Sequence, residues 1–336
     1  MSARWVNALA ARIDAVLQPL LPSGARCALL DFPNYSNVGD SAIWLGETAW
    51  LRTRGIDMVY ACDTASYSPK QLADRIGSGT ILLSGGGNLG DFWVEHQWFR
   101  ERVIQDFPEN PIIQLPQTIY FMDNWGVSEA SRIFNAHKRL TVLCRDQHSL
   151  DIARAHFTGA SELCPDMAFA LGPLPRTNSA ERDLVWLCRT DAESQSGAFP
   201  AGGADGKSID WLDEPASPLR DRHRELSQRL NPERTDDEAL TALVGVYEPL
   251  ARERLIRGCT MLSKARVVVT DRLHGHILCM LLGIPHVLVD NNYGKIRGFY
   301  ETWTRDCPLA HWAASPAEAL EMANAALKDA TFVSNI

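Results

Sequence analysis

No stretch of the 336-residue chain approaches the ~18 to 20 consecutive apolar positions that a membrane-spanning helix needs. The opening MSARWVNALAARIDAVLQPLLP carries polar breaks every few residues, so neither a span nor a secretory signal is expected there. A CxxC pair is also missing. The eight cysteines, at 27, 62, 144, 164, 188, 259, 279 and 307, sit mostly in apolar runs such as VLCR and HILCML, where cysteine behaves as a small hydrophobe. A chain this long with cysteines this evenly scattered does not read as a disulfide-stapled secreted scaffold. Glycine and proline, 23 and 18 residues, are no more than average, which excludes collagen-like and low-complexity classes. Positive charge is in deficit: 33 Lys plus Arg against 41 Asp plus Glu leave a net charge of −8. A nucleic-acid-coating protein wants a basic face, so no nucleic-acid partner is expected. A local basic pocket for a small anion remains compatible with that balance. The expectation is a cytoplasmic, reduced protein long enough for roughly two domains.

What is present is an alternation of short apolar strands and amphipathic helices. Trp5, Leu9, Ile13, Val16, Leu17 and Leu20 share one helical face, predicting a helix over 3–21 that packs on its own domain. CALLDF (27–32), IDMVYA, TILLS (80–84), PIIQLP (111–116) and LTVLC (140–144) read as strands, with a helix from Ser41 to about Arg52 after the first. Repeated βα units imply a parallel, doubly wound sheet. Turn formers cluster at 172–182, and a second series follows with DLVWLCR (183–189), RVVVTD (266–271), PHVLVD (285–290) and a last helix near 316–329. The expected architecture is α/β: two Rossmann-like domains, 1–175 and 180–336, facing across a cleft, with a mobile loop at about 191–235.

Ligands of open α/β sheets bind beyond the carboxyl ends of strands. Asn37-Val38-Gly39-Asp40 follows the first strand, where Gly39 permits a tight turn, Asp40 can cap the helix, and exposed N–H groups suit an anion. Ser84 to Asp91 reads SGGGNLGD, and Gly85, Gly87 and Gly90 satisfy GxGxxG. A dinucleotide site also expects a carboxylate closing the next strand, and PIIQLP runs into Gln117 instead, so no nicotinamide cofactor is assigned. The run reads as a glycine-lined turn that delivers Asp91 beside Trp93 and Trp98. Thr270-Asp271-Arg272-Leu273-His274-Gly275-His276 places a planar cationic fork and an imidazole at another strand end, suited to an anion and to proton transfer. A metal role for His274 and His276 is disfavoured, because positions i and i+2 diverge on a helix and no third ligand is spaced nearby. Arg189 closes the first strand of the second series. Gln117, Arg145-Asp146, Asp166 and Asn291–Lys295 also stand at strand ends, each with a capping or turn explanation.

Together NVGDSAI, LLSGGGNLGDFW, LPQTIYF, CRDQHS, CPDMAFAL, VVTDRLHGHILCMLLGIPHVLVDN and YGK resemble the polysaccharide pyruvyl transferase family over about residues 28–300. The resemblance implies a GT-B-like pair of Rossmann-like domains, and no cofactor or metal is expected, because the arginines supply the positive charge. It implies phosphoenolpyruvate as donor and a sugar diol as acceptor, giving a cyclic pyruvate ketal plus phosphate. The acceptor would be a lipid-linked exopolysaccharide or capsule unit, met at the inner face of the membrane with peripheral association. The expected site has Asp91 as general base and His274 as general acid. Arg189 and Arg272 hold the donor's two anionic groups, and Asn37, Gly39, Asp40, Gly87, Asn88, Gln117 and Lys295 complete the substrate-binding set. Trp44, Trp93 and Trp303 are candidates to stack on the sugar. The competing readings are a glycosyltransferase using a nucleotide sugar and a non-catalytic sugar- or nucleotide-binding protein. The first would want base and diphosphate contacts, whereas the Arg/His pairing suits a small dianion.

Overall fold

The computed structural model describes residues 2–190, 208–230, 237–290 and 294–328. Helix α1 (Ser2–Leu20) buries Val6, Leu9, Ile13, Val16 and Leu17, the face its apolar spacing requires. The first sheet is built from β1 (Arg26–Leu30), β2 (Asp57–Cys62), β3 (Thr80–Leu83), β4 (Gly86–Gly90), β5 (Ile112–Tyr120), β6 (Leu140–Cys144) and β7 (Ala160–Leu163). Between them run α2 (Val38–Thr53), α3 (Pro69–Ile76), α4 (Val94–Asp106), α5 (Asn124–Ala136) and α6 (Gln147–His156). Its strands are parallel in the order β2-β1-β3-β5-β6-β7, with β4 paired to β5. Strands such as Thr80–Leu83, buried throughout, are apolar without alternation because helices cover both faces of a parallel sheet.

The second sheet is smaller and also parallel, in the order β11-β10-β9-β8. Its strands are β8 (Arg182–Leu187), β9 (Ala265–Thr270), β10 (His286–Leu288) and β11 (Ala310–Trp312). The helices are α7 (Pro218–Arg229), α8 (Asp237–Ser263), α9 (Leu273–Leu282), α10 (Lys295–Phe299) and α11 (Pro316–Lys328). The expected α/β class with parallel sheets is what the chain forms. No described helix is long and apolar enough to cross a membrane.

Two expectations are corrected. The glycine run 84–91 holds a strand and not the expected glycine-lined turn: β3 hydrogen-bonds the first half of β5, the chain steps sideways at Ser84-Gly85, and β4 continues along the second half. Glycine is required for that close approach. Gly90 has φ 132°, and a Cβ there would overlap the carbonyl of Tyr120. The loop expected over 191–235 is ordered over 208–230, while 191–207 and 231–235 lie outside the described residues. Ile209 bridges Leu187, Trp211 is buried, and Ser217 caps α7 by accepting from Leu219 and Arg220 N–H groups. This segment and α8 pack against the first sheet. His223 Nε2 lies 3.0 Å from Asp63, Arg254 donates to the Pro33 carbonyl at 2.9 Å, and the Tyr247 ring stacks on Phe32 at 4.1 Å. Chain that follows the first strand of the second sheet thus covers the first, and one apolar core runs through both.

Candidate active site

The loops beyond β1, β8, β9 and β10 converge with β4 on a cavity of about 470 Å³, a size suited to a small ligand. Asn37 and Asp40 come from the start of α2, Gly87 and Asn88 from β4, and Arg189, Arg272, His274 and Lys295 from the second sheet's strand ends. Parallel pairing produces this convergence, because within each sheet all strand carboxyl ends lie on one edge, and those two edges meet at the cavity.

The wall is strongly cationic and rigidly braced. Arg272 is buried, donates from Nη2 to Asp210 Oδ2 at 2.6 Å, and holds its guanidinium 5.7 Å from the centroid of the Trp211 ring. Asp271 accepts from the Arg189 backbone N–H at 2.8 Å, which fixes the ends of β8 and β9 together, and burial pushes its carboxyl up to about 6. His274 opens α9 with Nε2 at 3.3 Å from Asp166 Oδ2. That same oxygen accepts from Arg145 Nη1 at 2.7 Å, and Oδ1 accepts from Ala168 N–H at 2.9 Å. Burial alone would raise the Asp166 carboxyl; His274 and Arg145 outweigh it and hold the group well below the usual carboxylate range. One buried carboxylate therefore bridges an arginine of the first sheet to an imidazole of the second.

Arg145 itself has no exposure. Its Nε donates to Thr118 Oγ1 at 2.9 Å, and its Nη2 is buried with no hydrogen-bond partner. A Cβ added to Gly87 would lie 2.6 Å from that Nη2 and would overlap Lys295 Nζ. Two cations thus meet over the bare α-carbon of Gly87 at the cavity wall, a cradle that only glycine leaves open for an anion.

Of the residues singled out by sequence, Asn37, Asp40, Gly87, Asn88, Arg189, Arg272, His274 and Lys295 line the cavity. Asn37, not Asp40, caps α2: its Oδ1 accepts from Gly39 N–H at 3.1 Å and its Nδ2 donates to Asp40 Oδ2 at 2.7 Å. Gly39 stands behind the wall, where a Cβ would overlap the His274 ring. Gln117 is also one layer back. It is fully buried, donates to Asn88 Oδ1 at 2.8 Å and accepts from Asn88 N–H at 3.0 Å, so it positions Asn88 without facing the cavity.

Asp91 is corrected. It does not line the cavity; its Oδ1 accepts from Met122 N–H at 2.7 Å and its other oxygen lies against Gly126, because β4 turns it toward the start of α5. Trp44 is corrected as well, being a core residue at 1% exposure packed edge-on to Phe32. Trp303 donates to the Arg145 carbonyl at 2.8 Å and does not line the cavity, whereas Trp93 does. Asn291, Asn292 and Tyr293 lie outside the described residues.

Sequence reasoning passed over four contributors. Arg145 and Asp166 end strands and were explicable as local caps. Asp31 ends the first strand and His96 begins α4; His96 lines the cavity with Nδ1 2.9–3.0 Å from both Asp31 oxygens. Burial works to lower the His96 pKa, and the Asp31 charge outweighs it, so the imidazole sits above its usual value. Asp31 is the one non-glycine residue among those described with positive φ, 75°, strain of the kind that accumulates at functional sites. Its strand-end position was the available signal. Among the described residues, no three His, Cys, Asp or Glu side chains are grouped to hold a metal.

Comparison with known proteins places the chain among relatives. Residues 37–293 match the family described as polysaccharide pyruvyl transferase. Pyruvyl transferase 1 of Schizosaccharomyces pombe is 33% identical over 307 residues, covering 84% of this chain and 71% of that protein. The provisionally named pyruvyl transferase EpsO of Bacillus subtilis is 30% identical over 293 residues, covering 87% of this chain and 89% of its own. A solved structure of a functionally uncharacterized protein from Klebsiella pneumoniae superposes with a TM-score of 0.60 at 20% identity, covering 91% of this chain and 99% of that one. That likeness concerns the fold alone.

Proposed function

The chain belongs to the polysaccharide pyruvyl transferase family, and from that premise we propose that its donor is phosphoenolpyruvate and its product a cyclic pyruvate ketal on a sugar diol. The observation that carries this reading is the cationic cavity, with Arg145 Nη2 buried, unpartnered and aimed at the Gly87 cradle. Phosphoenolpyruvate presents two anions on one small frame. Arg189 and Arg272 take its carboxylate, for which a guanidinium fork is the matching donor. Lys295, Arg145 and His274 take its phosphate.

The chemistry balances with these groups. The donor's methylene carbon gains a proton while a sugar hydroxyl adds to the adjoining carbon and gives its proton to Asp40, a carboxylate of the cavity lining. The bond from that carbon to the phosphate oxygen breaks, and His274, oriented by Asp166, donates a proton to the departing phosphate. A second hydroxyl then closes on the same carbon to form the ketal. Of the two protons lost by the diol, one ends on the new methyl group and one on phosphate. The two sheets act as GT-B-like lobes: domain 180–336 supplies Arg189, Arg272, His274 and Lys295 to the donor, Arg145 and Gly87 of domain 1–175 complete its phosphate site, and the acceptor enters on the 1–175 side. The acceptor is carried on a lipid at the inner face of the membrane.

Phosphate release from phosphoenolpyruvate by the purified protein, with and without a saccharide acceptor, tests this reading. Release should depend on the saccharide, and His274→Ala or Asp40→Asn should lower it by about 10²–10⁴-fold while the fold is kept. Equal release without saccharide, or transfer from a uridine diphosphate sugar instead, would contradict it.

A further inference from the structure

The region around Asp91 carries a feature that the donor chemistry does not use. Adjoining the cavity-lining Trp93 and Val94, both exposed, an apolar rim stands out in solvent: Trp98 is 66% exposed, Met122 61% and Trp125 74%. Single exposed apolar residues are ordinary; three tryptophans with a methionine and a valine on adjoining segments are not. Val94 and Trp98 are one turn apart on α4, and Met122 and Trp125 flank the start of α5. Asp91 ties the two segments together by accepting from Met122 N–H and lying against Gly126. The rim is continuous with the site, because Trp93 and Val94 are both exposed and part of the cavity lining.

We propose that this rim is the platform on which the acceptor glycan rests outside the cavity. A polymer cannot enter a 470 Å³ cavity that also holds a donor, so sugars beyond the reacting one must leave across its mouth. Broad aromatic faces suit the C–H faces of pyranose rings, bury area at low conformational cost, and present an N–H to ring hydroxyls. The enzyme therefore selects an extended saccharide over a single sugar. Trp98 and Trp125 grip residues distant from the reaction, while Asp91 sets the distance between the two halves of the platform. The proposal rests on the acceptor being a polysaccharide and is independent of the donor's identity.

Native gel electrophoresis through gels containing galactan, glucan or mannan tests it. The wild type, Trp98→Ala, Trp125→Ala and the double variant are compared, with sedimentation on phosphatidylethanolamine–phosphatidylglycerol vesicles in parallel. Retardation of the wild type by at least one polymer, weakened about tenfold or more in the double variant, is the expected result. Retardation that survives in the double variant would overturn the proposal, as would absence of retardation by all three polymers. Tryptophan-dependent vesicle binding without polymer binding would overturn it too and assign the rim to a lipid surface. Thermal stabilisation by phosphoenolpyruvate, measured on the same variants, should be unchanged; its absence in the wild type would count against the donor reading and leave this one standing.

Discussion

At the scale of single residues, the account turns on which carboxylate does chemistry. Asp91 holds a loop through one hydrogen bond to Met122 N–H at a solvent-exposed position. Such a bond is worth on the order of 1 kcal/mol. Asp91→Ala should therefore lower the melting temperature by a few degrees at most and leave turnover at saturating acceptor within a fewfold of wild type. Phosphate-release kinetics check this, and a fall of the size expected for Asp40→Asn would return Asp91 to the mechanism. The contrast shows what was legible. Arg189, Arg272 and His274 could be found because a charged group closing an apolar strand has few other reasons to be there. Asp91 misled because GGGNLGD matches a turn motif in composition, while the pairing of β4 to β5, which decides where Asp91 points, is a contact 30 residues away in sequence. Arg145 and Asp166 carried the same strand-end signal, but each has a local explanation. Their shared role with His274 exists only in three dimensions.

At the scale of elements, α2 positions the first-sheet side of the site, and it can do so because it sits unusually close to its neighbour. A Cβ at Gly46 would overlap the carbonyl of Met167, in the short 3₁₀ turn Met167–Leu171 that Asp166 caps. Alanine there would gain about 1 kcal/mol of helix propensity. It would cost about 1–3 kcal/mol of overpacking against backbone that cannot rotate away, so the loss wins. Gly46→Ala should lower the denaturation midpoint and reduce activity together, because displacing either element moves Asp40 or Asp166. A stabilised, fully active variant would refute this packing argument. Helices and apolar strands such as α1, α2, β3 and β9 were readable from periodicity. The helix α7 was not: its segment is rich in charge and turn formers, and Trp211, Ser217 and His223 give no periodic signal until α8 and the first sheet enclose them.

At the scale of the whole molecule, the two sheets are joined by buried polar groups as well as by apolar packing, and a buried carboxyl against the first sheet makes stability depend on pH. Glu47 on α2 accepts from Gly85 N–H at 2.8 Å and Ser84 Oγ at 2.9 Å. Burial pushes its carboxyl up from 4.5 to about 8, against the pull of those bonds. Between these values the folded chain binds more protons than the unfolded one, so this group's contribution falls as pH rises from about 4.5 to about 8 and is level above that. Melting temperatures of wild type and Glu47→Gln should diverge in slope across that window, with the wild type losing more on the alkaline side; parallel curves would show that Glu47 is ionised in the fold.

The central claim is that a cationic cavity between the two sheets, with its cradle at Gly87, is built for phosphoenolpyruvate. Isothermal titration of phosphoenolpyruvate into the wild type, Arg272→Ala and Gly87→Ala tests it most directly. The new methyl group would meet Lys295 Nζ and Arg145 Nη2, the far ends of two long side chains that can yield, so the Gly87 variant should stay folded. The account predicts saturable binding by the wild type and at least about tenfold weaker binding in each variant. Equal binding by all three proteins would contradict it.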